Sequence, residues 1–397
     1  MTLPDVTTRR LLADLVAFDT TSQRSNLALI AFVEEFLKRH GIASRRIDYE
    51  PGHKTNLYAT IGPDRAGGIV LSGHTDVVSV EGQAWDSDPF VATERDGRIY
   101  GRGTADMKGF VAACLAAVPE LKSRDLRIPV HLALSCEEEV GCRGVRPLVR
   151  HFENHLPSPA AVIVGEPTLM KVVSAHKTAY SFETTVTGRE AHSSTPQQGV
   201  NAIMVAARLL SELDSIDSEK RQAADSASPF DPPYTTVHVG VIAGGTAKNI
   251  VAGHCRFVWE TRLLPGEDPE TVPRRLDKLA ETLISDMRRI GPGANIETRR
   301  TNVVPGLQPR NSAAVALALK LAPGNETAAV SYATEAGLFQ EAGMEAVICG
   351  PGSIDQAHKP NEFIAVSELE ACDAFLRRLA DYCSEDGAGN SSSAAKR

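Results

Sequence analysis

The chain has 397 residues, of which 42% are hydrophobic and 23% are charged. This composition is ordinary for a folded protein of two or three domains, and it excludes disordered, collagen-like and disulfide-scaffold classes for the body of the chain. Acidic residues outnumber Lys and Arg by 50 to 42, which gives a net charge of −8, so the basic face of a nucleic-acid binder is not expected.

The sequence predicts a cytoplasmic protein without a membrane segment. Apolar stretches such as 110–118 are far shorter than the roughly 18 to 20 residues that span a bilayer. The first twenty residues carry Asp5, Asp14 and Asp19 among their leucines, so the apolar core of a signal peptide is not expected. The seven cysteines are scattered and show no CxxC spacing, which is typical of reduced thiols.

The N-terminal part alternates helical stripes with short apolar strands. Predicted helices lie at 11–16, at 30–37 and at 109–118, where Pro119 is expected to end the last one. Predicted strands lie at 69–71, 130–134 and 160–164. Continuous apolar strands between helices are typical of a mostly parallel sheet with helices on both faces.

From about residue 179 the pattern changes to half-exposed strands and amphipathic helices. The predicted elements are a strand at 181–187, a helix at 200–213, a polar loop at 214–233, strands at 235–242 and 254–262, a helix at 276–290 and a strand at 296–301. This β-α-β-β-α-β order is that of a ferredoxin-like unit.

After Pro305 the first pattern returns. The predicted elements are helices at 312–322 and 334–341, a strand at 346–349, and a last helix opened by the capping box Ser367-x-x-Glu370. The predicted fold class is therefore α/β, with one domain of residues 1–178 and 303–383 interrupted by a smaller ferredoxin-like α+β insert of residues 179–302. Residues 384–397, rich in Gly, Ser and Ala, are expected to form a disordered tail.

Acidic and imidazole side chains collect where the predicted strands end, and in open α/β sheets ligands bind beyond the carboxyl ends of strands. The candidates are His74 and Asp76 after 69–71, Glu137, Glu138 and Glu139 after 130–134, Glu166 after 160–164, His358 after 346–349, and Asp106 before the helix at 109–118. Any one of them alone is more often a surface or helix-start residue. Clustered carboxylates repel one another unless they are neutralised, and a metal is the simplest neutraliser.

Charge arithmetic favours two divalent cations over one. A bridging Asp106, Glu166 and one glutamate of the triplet supply three negative charges, while His74 and His358 supply neutral imidazoles. Two Zn²⁺ and one hydroxide close this balance, and the mixed nitrogen and oxygen donors suit zinc, with cobalt or manganese as alternatives. Asp76 is expected to orient the His74 imidazole. The glutamate left without a metal is what a general base requires.

Five motifs carry a family resemblance: Ser72-Gly-His-Thr-Asp-Val77, Gly101-Arg-Gly-Thr-Ala-Asp-Met-Lys-Gly109, Glu137-Glu-Glu-Val-Gly141, Gly165-Glu-Pro-Thr168 and Gly350-Pro-Gly-Ser353 through His358. Together they resemble the di-zinc aminoacylase and carboxypeptidase family, over about residues 5 to 383. The resemblance implies that residues 1–178 and 303–383 form a zinc-hydrolase catalytic domain and that residues 179–302 form a lid and dimerisation domain. The resemblance implies that His74 and Glu166 hold one zinc, that Glu139 and His358 hold the other, and that Asp106 bridges them. It also implies a cis peptide bond between Asp106 and Met107.

The resemblance implies the roles of two further residues. Glu138 is expected to be the general base, and Glu137 stands where the family usually has Asp. The segment Gly188-Arg-Glu-Ala-His-Ser193 resembles the lid and dimer segment of the family. His192 is therefore expected to stabilise the oxyanion in the active site of a partner subunit, and a homodimer is expected.

The resemblance also indicates a small-molecule substrate, an N-acyl amino acid. Asn249 and Arg262 are expected to hold its α-carboxylate, and Glu335 its side-chain ammonium group. The motifs at 19–22, 54–62, 85–90 and 356–360 are most similar to members that deacetylate N2-acetyl-L-ornithine for arginine biosynthesis. Desuccinylation of succinyl-diaminopimelate, deacetylation of acetylcitrulline and dipeptide cleavage stay open as alternatives. Outside enzymes, the alternative is a catalytically silent binding protein on the same scaffold.

Overall fold

A computed structural model describes residues 6–155 and 159–384. The chain divides into two compact units. Met1–Ala175, Pro309–Ala328 and Thr334–Arg397 form the first unit, and His176–Gln308 with Ala329–Ala333 form the second. Of the predicted tail, Ser384 ends the last helix, and its other residues lie outside the described part of the chain.

Strands and helices alternate along most of the described chain. The strands are β1 (Ser44–Glu50), β2 (Lys54–Ile61), β3 (Ile69–His74), β4 (Thr93–Arg95), β5 (Arg98–Tyr100), β6 (Val130–Ser135), β7 (Ala161–Val164), β8 (Val172–His176), β9 (Ala179–Thr187), β10 (Thr236–Gly244), β11 (His254–Arg262), β12 (Asn295–Val304), β13 (Thr327–Val330), β14 (Ala346–Ile348) and β15 (Phe363–Ala365). The helices are α1 (Thr8–Val16), α2 (Leu27–Arg39), α3 (Gly109–Ser123), α4 (Val145–His155), α5 (Ala202–Gln222), α6 (Thr271–Ile290), α7 (Ala313–Leu321), α8 (Ala336–Glu341) and α9 (Val366–Ser384).

An eight-stranded sheet forms the centre of the first unit, in the order β1-β2-β6-β3-β7-β14-β8-β13. The four central strands, β6, β3, β7 and β14, run parallel to one another, and β2 and β8 flank them in antiparallel pairing. This arrangement confirms the prediction of a mostly parallel sheet in an α/β fold. Parallel strands are covered on both faces, which is why β3, β6 and β7 are buried along their whole length.

Side chains alternate between the two faces of this sheet. On one face, Leu132 and Leu134 of β6 belong to an apolar core that includes residues of α1, α3 and α9. On the other face, His131 bonds the hydroxyl of Tyr58, whose ring packs edge-on against Phe152 of α4. Helices therefore cover both faces, as predicted.

Two smaller sheets complete the fold. In the first unit, β15, β5 and β4 form a three-stranded sheet in that order. In the second unit, four antiparallel strands lie in the order β10-β11-β9-β12, and α5 and α6 pack on them around Trp259 and Phe182. This is the ferredoxin-like arrangement predicted from the order of the elements.

Three predicted boundaries were wrong. Helix α3 continues past Pro119 to Ser123, because buried Val118 and Leu121 keep packing its apolar side on the core. Helix α5 extends to Gln222 through part of the predicted loop, because Ile216 continues its buried stripe. Helix α9 begins at Val366, so Ser367 lies in its first turn and does not form the predicted capping box. None of the described helices is both long and apolar enough to cross a bilayer.

Candidate metal centre

The predicted ligands collect at one edge of the large sheet. His74 is the last residue of β3, Glu138 and Glu139 follow β6, and Glu166 follows β7. Because β6, β3 and β7 are adjacent and parallel, their carboxyl ends meet at the same edge. The sequence folds locally into short apolar strands that stop where these polar side chains begin, so the strands themselves bring the ligands together.

Asp106 lies between two histidines, each of which contacts a different oxygen of its carboxylate. His74 Nε2 is 3.0 Å from Asp106 Oδ1 and 3.9 Å from Glu166 Oε1. His358 Nε2 is 3.4 Å from Asp106 Oδ2 and 2.9 Å from Glu139 Oε2. The peptide bond after Asp106 is cis, as the resemblance implies. A carboxylate divided in this way between two histidine–glutamate pairs has the geometry of a bridging ligand.

The donor atoms are close enough to share cations. Those of His74, Asp106 and Glu139 lie within 4.8 Å of one another, and so do those of His74, Glu138 and Glu166. Glu138 is thus near enough to serve as a ligand as well as a base, but among the two glutamates it is Glu139 that contacts His358. A mixed set of imidazole nitrogens and carboxylate oxygens fits divalent transition metals such as zinc.

The tautomer of His74 also suits a metal ligand. Its Nδ1 lies 2.9 Å from the main-chain carbonyl oxygen of Asp76, which can only accept a hydrogen bond. The proton of the neutral ring therefore sits on Nδ1, and Nε2 keeps the lone pair that a cation binds. His74 is fully buried, whereas the His358 side chain is 56% exposed.

The electrostatics of the cluster show how strongly its groups hold protons. Burial raises the pKa of Glu138 to about 8 and that of Glu139 to about 7, and it raises the pKa of Glu166 well above its usual range. Hydrogen bonds that His358 donates to Asp106 and Glu139 raise its pKa to about 10. Although burial opposes the effect, the two histidines hold the pKa of Asp106 below its usual value. A cation that displaces these protons would neutralise the buried carboxylates, so the residues fit a metal centre.

Asp76 makes a different contact from the predicted one. Its carboxylate oxygen is 3.7 Å from His74 Nδ1, beyond hydrogen-bond distance, so the main-chain carbonyl orients the imidazole instead. The carboxylate accepts the hydroxyl of Ser22 at 2.8 Å and the main-chain N–H groups of Glu138 and Glu139 at 3.2 and 3.3 Å. Asp76 therefore holds the segment that carries the predicted base and a predicted ligand.

Glu335 lies in an enclosed environment beside the ends of β3 and β6. It is fully buried, and its two oxygens accept hydrogen bonds from Ser72 Oγ at 2.5 Å and Ser135 Oγ at 2.7 Å. Burial raises its pKa, while the two serine hydroxyls oppose that rise. This environment favours a structural role, and the predicted contact with a substrate ammonium group stays a prediction.

The other three predicted residues belong to the second unit, and their approach to the metal centre also stays a prediction. His192 is exposed, and its Nδ1 accepts the main-chain N–H of Ser194 at 3.1 Å. The proton of a neutral His192 therefore sits on Nε2. Arg262 ends β11 and bonds Glu260 at 3.1 Å, and the exposed Asn249 accepts the N–H of Ser193 through its main-chain oxygen at 3.0 Å.

Sequence reasoning missed several residues that support the centre. Cys142 Sγ lies 3.1 Å from Glu138 Oε1, and Lys54 forms a buried ion pair with Glu137. Arg102 and Glu362 form a second buried ion pair next to Asp106. The only sequence signal for this last pair is the place of Arg102 inside the glycine-rich segment before Asp106.

The fold and the site together define the class of protein. A largely parallel sheet with a ferredoxin-like insertion, and with a buried carboxylate and imidazole cluster at its carboxyl edge, is typical of a metal-dependent hydrolase. The chain belongs to peptidase family M20/M25/M40, whose sequence profile matches residues 70–382. This finding confirms the family resemblance and identifies the chain as a hydrolase.

Named relatives match almost the whole chain. Acetylornithine deacetylase of Myxococcus xanthus is 39% identical over 389 residues, which are 96% of this chain and 98% of that protein. The enzyme of the same name from Pasteurella multocida is 34% identical over 367 residues, which are 91% of this chain and 93% of that protein. An M20 family metallo-carboxypeptidase from Sulfolobus solfataricus shares the fold, with a TM-score of 0.74 and 21% identity over 94% of this chain and 98% of that chain.

Proposed function

We propose that this chain is a two-metal amidohydrolase that converts N2-acetyl-L-ornithine and water to acetate and L-ornithine, a step of arginine biosynthesis. The observation that carries the proposal is the Asp106 carboxylate divided between His74 with Glu166 and His358 with Glu139. The names of the two deacetylases that match this chain over more than nine-tenths of its length support the choice of substrate.

His74, Asp106 and Glu166 would hold one cation, and Asp106, Glu139 and His358 the other. We propose zinc in both positions, with cobalt as a substitute, because these are mixed nitrogen and oxygen donor sets. When bound, the two cations would polarise the amide carbonyl and lower the pKa of bound water towards neutrality. The remaining steps belong to the side chains of the protein.

Glu138 is the proposed general base and acid. It takes a proton from water as the water oxygen attacks the acetyl carbon, and it gives the same proton to the leaving amine nitrogen. The Cys142 thiol contacts its carboxyl group at 3.1 Å from Oε1, and Asp76 holds its backbone by accepting the Glu138 main-chain N–H at 3.2 Å. Burial raises the pKa of Glu138 to about 8, and the positive charge of bound cations would oppose that rise.

The second unit would complete the site from a partner subunit. A neutral His192 with its proton on Nε2 has the donor that a developing oxyanion requires. Arg262 and Asn249 would hold the substrate α-carboxylate. The edge strand β10 supports a homodimer, because it carries the exposed apolar side chains of Val241 and Ile242. We place this homodimer in the cytoplasm.

A substrate panel and a base variant test the proposal. Purified protein loaded with zinc is assayed on N2-acetyl-ornithine, N-succinyl-diaminopimelate, N-acetylcitrulline and a set of dipeptides. We expect the highest kcat/KM on acetylornithine and loss of activity with a chelator. Glu138→Gln keeps the shape of the side chain, and we expect it to lower kcat by about 10²- to 10⁴-fold with the metal content unchanged.

Each outcome has a distinct meaning. A higher kcat/KM on another N-acyl amino acid would transfer the proposal to that substrate. Full turnover by Glu138→Gln would reject the role of the base. Binding of the panel without turnover by the metal-loaded protein would favour the catalytically silent scaffold over an enzyme.

A further inference from the structure

The small sheet of the first unit brings together the two segments that carry Asp106 and His358. Strands β5 and β15 are antiparallel, with Phe363 opposite Tyr100. The N–H of Gly101, just after β5, therefore donates to the main-chain oxygen of Glu362, just before β15, at 3.0 Å. Asp106 lies a few residues beyond Gly101, and His358 a few residues before Glu362. Both proposed ligands thus emerge from the same end of one small sheet.

The Glu362 carboxylate holds the backbone that leads to Asp106. Glu362 is fully buried. Its Oε1 accepts the N–H groups of Ala105 at 2.8 Å and of Asp106 at 3.1 Å, and its Oε2 accepts the N–H of Gly103 at 2.9 Å. Gly103 has a φ of +82°, and a Cβ atom there would lie 2.7 Å from Val77 Cγ1, so this turn requires glycine. Three main-chain hydrogen bonds to one buried carboxylate fix the direction in which the loop presents Asp106.

Arg102 extends this support to the other ligand. Its Nη1 donates to Glu362 Oε2 at 2.7 Å, and its Nη2 donates to Gln83 Oε1 at 2.6 Å. Gln83 Oε1 also accepts the indole N–H of Trp85 at 3.1 Å, so the amide NH₂ of Gln83 faces the other way and donates to the main-chain oxygen of His358 at 2.9 Å. One guanidinium fork therefore links the Asp106 loop to the His358 loop.

We propose that the buried Arg102–Glu362 ion pair is a positioning device for the metal centre, which sets Asp106 directly through Glu362 and His358 indirectly through Gln83. A buried ion pair seldom adds net stability over an apolar pair of the same size, so stability alone does not account for it. The ion pair makes its hydrogen bonds to the backbone that carries Asp106 and, through Gln83, to the backbone of His358. Groups that orient ligands in this way typically change metal affinity about 10- to 100-fold when they are altered.

The inference rests on the proposed two-metal site, and its test reads metal affinity, which does not depend on the identity of the substrate. Zinc affinity of the full chain is measured by competition with a chromogenic chelator for the native protein and for Glu362→Gln. Gln has the same shape as Glu, but its NH₂ would face the N–H groups of the loop or the Arg102 guanidinium. We expect at least one of two zinc ions to bind about 10- to 100-fold more weakly.

Two further variants separate positioning from general stability. Gln83→Ala removes the link to His358 together with the Arg102 and Trp85 contacts, and it leaves the bonds from Glu362 to the Asp106 loop in place. We expect it to weaken one ion while the other keeps its affinity within twofold. Leu379→Ala creates a cavity in the core, where Leu379 is fully buried on α9, and we expect it to lower the thermal midpoint without changing zinc affinity.

The outcomes are distinguishable. Native zinc affinity in Glu362→Gln and Gln83→Ala, with a native protein that binds two ions, would overturn the inference and leave the proposed function intact. An equal loss of affinity in Leu379→Ala would also overturn it, because the effect would then follow stability. A native protein that binds no zinc would reject the metal centre itself, and the inference with it.

Discussion

The Asp76 carboxylate accepts three hydrogen bonds, and replacing Asp76 with Asn removes the capacity for one of them. Oδ1 accepts the main-chain N–H of Glu138 and Oδ2 that of Glu139, while the Ser22 hydroxyl donates to Oδ2 as well. Asn offers one oxygen and one NH₂. The hydroxyl can rotate to accept from this NH₂, but a main-chain N–H cannot reverse, so one partly buried N–H loses its acceptor at a cost of about 1–3 kcal/mol.

This loss has a structural and a kinetic consequence that can be measured separately. We expect Asp76→Asn to lower the urea midpoint of the metal-free protein by an amount equivalent to about 1–3 kcal/mol. We also expect kcat/KM for acetylornithine to fall at least about tenfold, because the loosened segment carries Glu138 and Glu139. Ser22→Ala is the matched control, since it removes one donor to the same carboxylate and leaves both main-chain bonds. A variant with a native urea midpoint and kcat/KM within twofold would refute the reasoning.

Three further predictions concern zinc binding, the proposed dimer and Glu335. We expect zinc affinity to rise with pH between about 7 and 10, because Glu139 and His358, whose pKa values are about 7 and about 10, must lose their protons to bind a cation. Binding then releases protons, and titration calorimetry in buffers of different ionisation enthalpy measures this release. A zinc affinity that does not change with pH would contradict the prediction. We expect Val241→Lys on the exposed edge of β10 to give a monomer with strongly reduced kcat, because it places a charge in the proposed dimer interface. We expect Val91→Lys, at an equally exposed position in the first unit, to leave the proposed dimer intact by light scattering. A fully active monomer would exclude a contribution of His192 from the partner. We expect Glu335→Gln to lower the urea midpoint and to leave the preference for acetylornithine over N-acetylnorvaline, which lacks the side-chain ammonium group, unchanged. Loss of that preference would instead support the predicted ammonium contact.

The large sheet could be predicted because its central strands carry their own signal. Buried parallel strands such as β3, β6 and β7 are short apolar runs, and each is followed by histidine or carboxylate side chains, which are potential metal ligands. Strands β1 and β2 were missed because their sequences, Ser44–Glu50 and Lys54–Ile61, mix charged, polar and apolar residues without a clear alternation. The burial of β2 comes from its pairing with β6 on one side and β1 on the other, which a local pattern does not contain.

The candidate ligands could be predicted for a similar reason, whereas the residues that support them could not. Several histidines and carboxylates at neighbouring strand ends indicate metal chemistry from residue type and place, although any one of them alone does not. Glu362 follows Lys359, Pro360 and Asn361 and resembles an ordinary surface glutamate in the sequence. It is buried because β15 pairs with β5, which brings it to Arg102 across 260 positions of the chain. The role of Asp76 was misread because its carbonyl and carboxylate contact different partners.

Anomalous diffraction from crystals soaked in zinc, recorded on both sides of the zinc absorption edge, tests the central claim most directly. The account predicts two anomalous peaks per chain, one between Asp106, His74 and Glu166 and the other between Asp106, His358 and Glu139. A single peak, or peaks that leave Asp106 without contact to a metal, would contradict it.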